Sequence, residues 1–451
     1  MRIKLCYPLT SKEIADYLNL PAPKIDNIVS YVSTDTRNLS KGDLFIALKG
    51  SKYDGESFVS KAKEIGALTV SKNNVSADFQ VADTEAAFLA LSKGYKDNKL
   101  LKLKCTVAIT GSVGKTTTKE ILKTILSKKF KTHATKDNFN NSVGLPFTVL
   151  SAPDDTEILI CELGMNHKGE IEKLAKAISA DIAIITNIGT AHIENLGTRE
   201  KIAEAKLELM MCDKKPFLIA PIEEALLRNR ANLLFSVDRP SDACVKIKKS
   251  NVSGSIIDVI TNKRTLQNIE TGIYGEHYLS SLAASIAVAE LLGFCDSEII
   301  SSLLTLDNTL LRQKIITIGG IHIYDDTYSS SPEAALAMLE HVSLLGYTQK
   351  SCVLGDMLEL GERTEQAHRD IGRHAAQLGY KRIYAFGNYS HFICVGAKSL
   401  KQGKVEIFKN PDINAPQITA NQIKESYDGG IILFKASHAL HAERIYEYLK
   451  E

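Results

Sequence analysis

The sequence predicts an α/β fold with parallel sheets, divided over three domains. Its 451 residues are about three times the ~150 residues that a typical domain holds. Hydrophobic residues make up 44% and charged residues 24%, as is ordinary for globular proteins. Apolar strand-like runs without polar alternation recur, and most are followed by a helical pattern. Such strands are typical of parallel sheets that helices cover on both faces.

The first part of the chain has a different hydrophobic pattern from the rest. It contains short β-like runs, such as Asp43–Leu48, and one clear helical pattern, Thr84–Asn98. We interpret residues 1–102 as a small α/β module.

The second part begins with the apolar run Cys105–Thr110, which a glycine turn and a long amphipathic pattern follow. The runs Glu157–Cys161 and Asp181–Thr186 are also apolar and are also followed by helix-like segments. Residues 103–312 are therefore predicted to form a central parallel-sheet domain.

The third part follows a boundary near Leu311–Gln313, where the alternation of strands and helices resumes. Its predicted strands are Ile321–Tyr324, Ser351–Gly355, Arg382–Phe386 and Ile431–Phe434. Its predicted helices are Pro332–Leu345, Thr364–Leu378, Ser390–Ser399 and Ala439–Lys450. Residues 313–451 thus predict a second parallel-sheet domain, and ligands commonly bind in clefts between such domains.

Composition and charge exclude several classes of protein. Lysine and arginine number 55 against 53 acidic residues, which argues against a dedicated nucleic-acid binder. The eight cysteines are scattered without metal-site spacing and are expected to be reduced thiols. The most apolar stretch, Ala283–Phe294, is too short for a membrane span and contains Glu290. The N-terminus reaches polar Thr10 before a signal-peptide core could form, so we expect a soluble, cytoplasmic protein without a membrane span.

The strongest local motif is a glycine-rich loop between a predicted strand and a predicted helix, Thr110–Thr118. In such loops backbone N–H groups and a lysine surround phosphate oxygens, and a hydroxyl ligates Mg²⁺. Ile109 replaces the first glycine of the usual pattern, and a plain turn before a helix is the alternative. The loop predicts that the protein uses ATP or GTP. The predicted nucleotide-binding residues here are Gly111, Ser112, Val113, Gly114, Lys115, Thr116 and Thr117.

Two residues at the ends of neighbouring strands are candidate metal ligands. Glu162 ends an apolar run, and at the edge of the sheet beside the phosphate loop its carboxylate could hold Mg²⁺. Taken alone, it would be interpreted as a surface charge. His192 also follows a strand end, but a lone histidine is more often packed or exposed without a function.

Two other segments have an ordinary alternative interpretation. Lys206 lies in a helical pattern with Glu204 and Glu208, and residues alone favour a solvated lysine balanced by these acids. The loop Asp137–Pro146 is dense in amides, which suits hydrogen bonding to a large polar ligand. The same residue types also favour a simple turn.

Taken together, these segments resemble the Mur ligase family, the ATP-dependent amide-forming enzymes of peptidoglycan precursor synthesis. Within it, Val353–Gly361 with His368 is most similar to the MurF subfamily. The other segments that carry the resemblance are Ser33–Arg37, Gly42–Gly50, Asp54–Gly55, Thr110–Thr117, Asn138–Pro146, Glu162–His167, Gly169–Ile171, Asn187–Gly197, Ala205–Glu208 and Asp325–Tyr328.

The resemblance implies a role for each domain. Residues 1–102 would bind the UDP-sugar, residues 103–312 would bind ATP, and residues 313–451 would form a Rossmann-like domain that closes over the nucleotide. It also implies catalysis by Lys115, Glu162, His192 and Lys206.

The resemblance implies further ligands for the site. Thr116, Glu162 and His192 would hold two Mg²⁺ ions, and Lys206 matches a lysine that several members carbamylate to bind the second ion. Arg312 matches the family's linker arginine near ATP. The substrate-binding residues would be Ser33, Asn138, Asn140, Asn141, Asp326 and Tyr328.

The implied activity is ATP-dependent addition of D-alanyl-D-alanine to UDP-N-acetylmuramoyl-tripeptide through an acyl phosphate, by a cytoplasmic monomer. Departures from the family pattern leave alternatives open. Tyr278, Ser281 and Ser329 stand where asparagines are usual, and His438 stands where an arginine is usual. The first alternative is another Mur-type amide ligase, either a MurE-like enzyme or a MurF relative, with a different acceptor or amine. The second alternative is a nucleotide-binding scaffold without catalysis. A GTPase is not favoured, because the sequence shows no motif that would select guanine.

Overall fold

The computed structural model describes residues 1–50, 53–74, 76–251, 254–306, 314–327, 330–400 and 405–450. Strands of these residues form three sheets, of five, nine and six strands, which confirms the predicted fold class. Arg312 and Tyr328 lie outside the described residues, as do Ser329 and the predicted boundary at 311–313. The domain limits 1–102, 103–312 and 313–451 stay predictions.

The first sheet has the order β1-β2-β3-β4-β5, and only its β1-β2 pair is antiparallel. Its strands are β1 (Arg2–Thr10), β2 (Ile28–Ser33), β3 (Leu44–Ile46), β4 (Leu68–Ser71) and β5 (Phe79–Gln80). Its helices are α1 (Ser11–Tyr17), α2 (Val59–Ile65) and α3 (Thr84–Lys99). The predicted helix at Thr84–Asn98 is confirmed as α3, which Asp83 caps by accepting hydrogen bonds from two backbone amides.

The second sheet has the order β14-β13-β12-β11-β10-β9-β6-β8-β7 and is parallel from β7 to β12. Its strands are β6 (Cys105–Thr110), β7 (Thr132–Ala134), β8 (Ile158–Glu162), β9 (Ile182–Ile185), β10 (Phe217–Pro221), β11 (Leu233–Val237), β12 (Ala243–Asn251), β13 (Gly254–Thr261) and β14 (Thr265–Thr271). Every residue of β6, β8 and β9 is buried, which explains their apolar sequences.

Helices cover this sheet on both faces. They are α4 (Lys115–Leu126), α5 (Gly144–Leu150), α6 (Glu170–Ile178), α7 (Ile193–Leu196), α8 (Arg199–Leu207), α9 (Ala225–Arg228), α10 (Glu276–Leu291) and α11 (Asp296–Leu303). On one face α4 and α10 share a core with the strands, and α5, α6 and α8 share a second core on the other face. Phe88 of α3 packs edge-on against Phe147 of α5 at 5.1 Å, which joins the first unit to the second.

The third sheet has the order β15-β16-β20-β17-β18-β19, and only β15-β16 is antiparallel. Its strands are β15 (Lys314–Ile318), β16 (Ile321–Asp326), β17 (Lys350–Gly355), β18 (Arg382–Phe386), β19 (Glu406–Asn410) and β20 (Ile431–Lys435). Its helices are α12 (Pro332–Ser343), α13 (Thr364–Gln377), α14 (Ser390–Lys398), α15 (Pro416–Ser426) and α16 (Ile445–Lys450).

The fold differs from the predictions in several places, and in the third sheet's unit β15, β19 and α15 were not predicted. The antiparallel strands β12–β14 at the edge of the second sheet were not predicted, because their exposed side chains break the apolar pattern. The predicted helix Ala439–Lys450 is wrong over its first half. There the backbone forms two 3₁₀ turns around His441, whose left-handed φ of 49° interrupts a helix.

Other expectations concern the whole chain. All eight cysteines are free thiols. Among the helices of the described ranges, none combines the length and hydropathy needed to cross a bilayer.

Buried His341 and half-buried His277 lie where α10 meets α12. His341 stacks on Tyr274 with ring centroids 4.7 Å apart, and His277 contacts it edge-on at 5.4 Å. Neither ring nitrogen of His341 has a hydrogen-bond partner among the described residues. Burial lowers the pKa of His341 to about 4 and that of His277 to about 3. Both rings are therefore neutral when the protein is folded near neutral pH.

We predict that this histidine pair makes the fold less stable in acid. The folded pKa of His341 lies below the unfolded value of 6.5, so the unfolded chain takes up the proton first. Its contribution to the free energy of unfolding is complete above pH 6.5 and falls by about 1 kcal/mol per pH unit towards pH 4. We would measure the free energy of unfolding by denaturant titration at several pH values between 4 and 6.5. Its dependence on pH should be shallower for His341→Phe than for the wild type, and should match the wild type for His391→Phe, which changes an exposed histidine. Equal slopes for all three proteins would contradict this.

Candidate active site

The phosphate loop connects β6 to α4 as the sequence predicts, and the helix begins at Lys115. Gly114 takes the left-handed φ of 83° that the tight turn requires, which favours glycine. No side chain caps α4, so the amides of its first turn are open to an anion.

Residues that follow β9 hold the loop in shape. The Oδ1 atom of Asn187 accepts hydrogen bonds from the amides of Ser112, at 3.0 Å, and Val113, at 2.9 Å. The hydroxyl of Thr186 donates to the carbonyl of Val113 at 2.6 Å. These contacts arise because β9 lies next to β6 in the sheet.

The side chain of Lys115 folds back over the loop. Its Nζ donates to the carbonyl oxygen of Gly111 at 2.7 Å. Desolvation lowers the pKa of Lys115, and the nearby carboxylate of Glu162 acts in the opposite direction. A bound anion would favour the charged form of this lysine in the same way.

Glu162 ends β8 directly beside β6, and it is 2% exposed. The alternative interpretation as a solvated surface charge is therefore wrong. Its Oε2 accepts a hydrogen bond from the hydroxyl of Thr116 at 2.9 Å, and its Oε1 accepts one from the amide of Asn140, also at 2.9 Å. A buried carboxylate beside a hydroxyl offers the hard oxygen ligands that Mg²⁺ prefers.

His192 contacts a carboxylate from the third sheet's unit. Its Nδ1 makes a short hydrogen bond to Oε2 of Glu359, and the backbone carbonyl of Glu359 accepts from the amide of Glu194 at 3.2 Å. Desolvation lowers the pKa of His192, while Glu359 opposes that change. A carboxylate accepts, so Nδ1 of the neutral ring carries the proton and Nε2 keeps its lone pair for a ligand.

Lys206 is 2% exposed, and the interpretation as a solvated lysine balanced by glutamates is wrong. Glu208 is itself buried and binds the backbone amides of Gly169 and Glu172, at the start of α6. Within the described ranges, the amine of Lys206 forms no hydrogen bond or ion pair. Burial and the charge of Lys115 lower the pKa of Lys206 well below its usual range.

The amide-rich loop is divided between two roles. Asn140 binds Glu162, whereas Oδ1 of Asn141 accepts hydrogen bonds from the backbone amides of Val143 and Gly144, where α5 begins. Asn138 is exposed.

Two other predicted substrate-binding residues lie on the first and third sheets. Ser33 is fully buried at the end of β2, where its hydroxyl bonds to the backbone carbonyls of Met1 and Asp35. Asp326 ends β16, and its carboxylate pairs with the buried Nζ of Lys435 at 2.9 Å.

One cavity of about 510 Å³ brings most of the predicted residues together. It lies between the second and third sheets' units, so both contribute to its wall. The residues of its wall that the sequence singled out are Ser112, Val113, Gly114, Lys115, Thr116, Thr117, Asn140, Glu162, His192, Tyr278, Ser281 and Asp326. Gly111, Ser33, Asn138, Asn141 and Lys206 do not line it.

A carboxylate of α12 also holds the third sheet's unit against this site. Oε1 of Glu333 accepts hydrogen bonds from the amide of Thr190 at 2.8 Å and from its hydroxyl at 2.9 Å. Thr190 lies only two residues from His192, so Glu333 and Glu359 contact the same loop.

Comparisons with known proteins agree with this architecture. The sequence profile of the Mur ligase middle domain matches residues 109–289, and that of the Mur ligase, glutamate ligase domain matches residues 311–438. The chain is 34% identical to the UDP-N-acetylmuramoyl-tripeptide--D-alanyl-D-alanine ligase of Bacillus subtilis, over 98% of each chain. The chain belongs to the Mur ligase family.

Solved Mur ligase structures extend the similarity to the whole fold. MurF from Acinetobacter baumannii superposes with a TM-score of 0.86 over 100% of both chains, at 26% identity. MurF ligase from Thermotoga maritima in complex with ADP gives 0.80 over 93% of this chain and 96% of that one, at 28% identity. The three-sheet arrangement is thus that of Mur ligases.

Three site residues of this Mur ligase were not singled out from its sequence. Asn187 lies in one of the segments that carry the family resemblance, but it has no predicted role of its own. Its position just after β9, beside β6, could have indicated contact with the phosphate loop. Glu333 and Glu359 come from another unit, and no local pattern connects them to Thr190 or His192.

Proposed function

We propose that this Mur ligase joins D-alanyl-D-alanine to UDP-N-acetylmuramoyl-tripeptide, using ATP, in peptidoglycan precursor synthesis. The observation that carries the proposal is the Thr116–Glu162 pair beneath the uncapped start of α4, in a cavity that both later units close. The names of the similar Bacillus subtilis enzyme and of the MurF structures support this choice of substrates.

The reaction needs an activated acid, because forming an amide from a carboxylate and an amine is unfavourable in water. The tripeptide carboxylate attacks the γ-phosphorus of ATP, which gives an acyl phosphate and ADP. The amine of D-alanyl-D-alanine then attacks the acyl carbon and phosphate leaves. Lys115 and the α4 amides would hold the phosphoryl oxygens during transfer, so the protein works by positioning and charge stabilisation.

The donor set fits Mg²⁺. Thr116 and Glu162 supply oxygen atoms at the phosphate loop, and Nε2 of His192 is available on the same cavity wall. These residues would hold Mg²⁺, which supplies charge neutralisation between the acid and the triphosphate when it is bound. Contacts of Glu333 and Glu359 with the 190–194 loop would keep water from the acyl phosphate.

We expect Glu359 to position His192 for metal binding. Histidine ligands usually donate their second ring N–H to a carboxylate, and changing that partner costs about 10–100-fold in metal affinity or activity. Glu359→Ala should therefore weaken Mn²⁺ binding, measured by paramagnetic resonance, by about tenfold or more. Glu359→Gln keeps an acceptor for Nδ1–H and should lose less. Unchanged Mn²⁺ binding in Glu359→Ala would contradict this role.

We also expect Lys206 to carry a carbamate. Because burial and Lys115 lower its pKa, its amine loses its proton more readily than that of an exposed lysine, and the neutral amine can react with CO₂ to give a carbamate and a released proton. The resulting carbamate is an anion, so the repulsion between the positive charges of Lys206 and Lys115 would become an attraction between the carbamate and Lys115. After incubation with ¹³C-bicarbonate, NMR should show a carbamate carbon that is absent from Lys206→Arg. Full activity of a protein whose intact mass shows an unmodified amine would rule this out.

The decisive experiment measures phosphate release by the purified protein with ATP and Mg²⁺. The substrates are UDP-N-acetylmuramoyl-tripeptide alone, D-alanyl-D-alanine alone, and both together. We expect release only with both, and a product heavier by the dipeptide less one water.

Turnover with another UDP-muramoyl acceptor or a single amino acid, but not with this pair, would overturn the proposed substrates. It would place the chain elsewhere in the Mur ligase family. Tyr278, Ser281 and His438 would then be the first positions to test as determinants of specificity. Absence of turnover with every acceptor would favour a nucleotide-binding protein without catalysis.

A further inference from the structure

A cluster of three metal-binding side chains follows β20, outside the proposed magnesium site. His438, His441 and Glu443 each place one ligand atom so that all three atoms lie within 4.8 Å of one another. His438 is also the position at which the sequence departs from the family's arginine. We propose that these three residues bind a transition-metal ion of the Zn²⁺ class.

The backbone of this segment holds the three side chains on one outer surface. Leu440 and Ala442 are 5% and 1% exposed, and both pack into the core of the third sheet's unit. His441 between them has a left-handed φ of 49°, an uncommon conformation for a residue other than glycine. Anchored neighbours therefore fix the direction in which the donors project.

Distances between the donors suit a tetrahedral ion. Nδ1 of His441 lies 3.1 Å from Oε1 of Glu443, close to the separation of about 3.3 Å between two ligands of tetrahedral zinc. The rings of His438 and His441 have centroids 5.5 Å apart, and the ligand atom of His438 lies within 4.8 Å of those of His441 and Glu443. The second carboxylate oxygen, Oε2 of Glu443, is buried and has no hydrogen-bond partner among the described residues.

The donor types select the metal. Two imidazoles and one carboxylate match zinc, nickel or copper, whereas Mg²⁺ prefers oxygen ligands and retains water. Three protein ligands leave a fourth position for water. The ion would also stiffen the wall of the nucleotide cavity, because Ser437, next to His438, lines that cavity and donates to the carbonyl of Asp356 at 2.9 Å.

The test is zinc titration of the full chain in excess Mg²⁺, by competition with a chromogenic chelator. Its matched control is His374→Asn. His374 pairs with Glu340 at 3.1 Å, but among the described residues no third metal-binding side chain lies close enough to complete a cluster with them. We expect His441→Asn to bind zinc more than about tenfold more weakly than the wild type and His374→Asn. The exposed thiols of Cys6 and Cys295 are present in all three proteins, so their contribution cancels.

Equal zinc affinity in the wild type and His441→Asn would overturn the proposal, as would equal loss in His374→Asn. X-ray absorption of the zinc-loaded wild type provides an independent measurement. Nitrogen and oxygen neighbours at about 2.0–2.2 Å are expected, whereas sulfur at about 2.3 Å would assign the ion to cysteines instead.

Discussion

Replacing Lys115 with alanine is expected to abolish ligation while the protein remains folded. Lys115 is the cation of the phosphate loop, and its Nζ already lies 2.7 Å from the carbonyl of Gly111, inside the curve of the loop. Loss of a cation that stabilises a transferring phosphoryl group typically lowers the rate by about 10³-fold or more. ATP-dependent phosphate release with both substrates should therefore fall to the background.

The matched control for this change is Lys123→Ala, which removes an exposed lysine of the same helix, α4. Both variants should unfold at nearly the wild-type denaturant concentration, because among the described residues Lys115 donates a single side-chain hydrogen bond, to a loop carbonyl. Only Lys115→Ala should lose turnover. Normal ligation by Lys115→Ala would refute the role of the loop, and equal loss in Lys123→Ala would show a general effect of charge.

The parts of the site that could be predicted are those with a local signal. The phosphate loop combines glycines, a lysine and a threonine within one strand-to-helix junction, so the residues and their surroundings are adjacent in sequence. Glu162 could be placed as well, because the carboxyl ends of β6 and β8 must meet at one sheet edge.

The remaining parts depend on contacts between distant segments. Glutamates at helical spacing around Lys206 favour a solvated lysine in the sequence. In the structure the packing of α8 buries Lys206, and the carboxylate of Glu208 binds the backbone at the start of α6 instead. Glu359 lies 167 residues from His192, and only the docking of two separately folded units brings them together. The antiparallel strands β12–β14 were missed because half-exposed strands lack the apolar runs of a buried sheet.

Removing the carboxylate of Glu162 should raise the Mg²⁺ concentration that the enzyme needs for activity. Glu162 is the buried anion nearest the phosphate loop, so Glu162→Ala deletes a charged ligand and leaves two donors, Thr116 and Asn140, without their acceptor. Each unpaired donor costs about 1–3 kcal/mol where it is buried, so some loss of stability is also expected. A magnesium titration of phosphate release should show a requirement raised by at least about tenfold.

The variant Glu162→Gln separates the metal from the fold. Its amide oxygen can still accept from Thr116, and Asn140 can turn its own amide to present an oxygen, so stability should stay close to that of the wild type. Its neutral group nevertheless binds Mg²⁺ poorly, because the divalent ion loses an anionic ligand. Both variants should therefore show the raised magnesium requirement, although only Glu162→Ala is destabilised. If activity stayed flat across the titration in Glu162→Gln, Glu162 would act only as the acceptor that anchors Thr116 and Asn140.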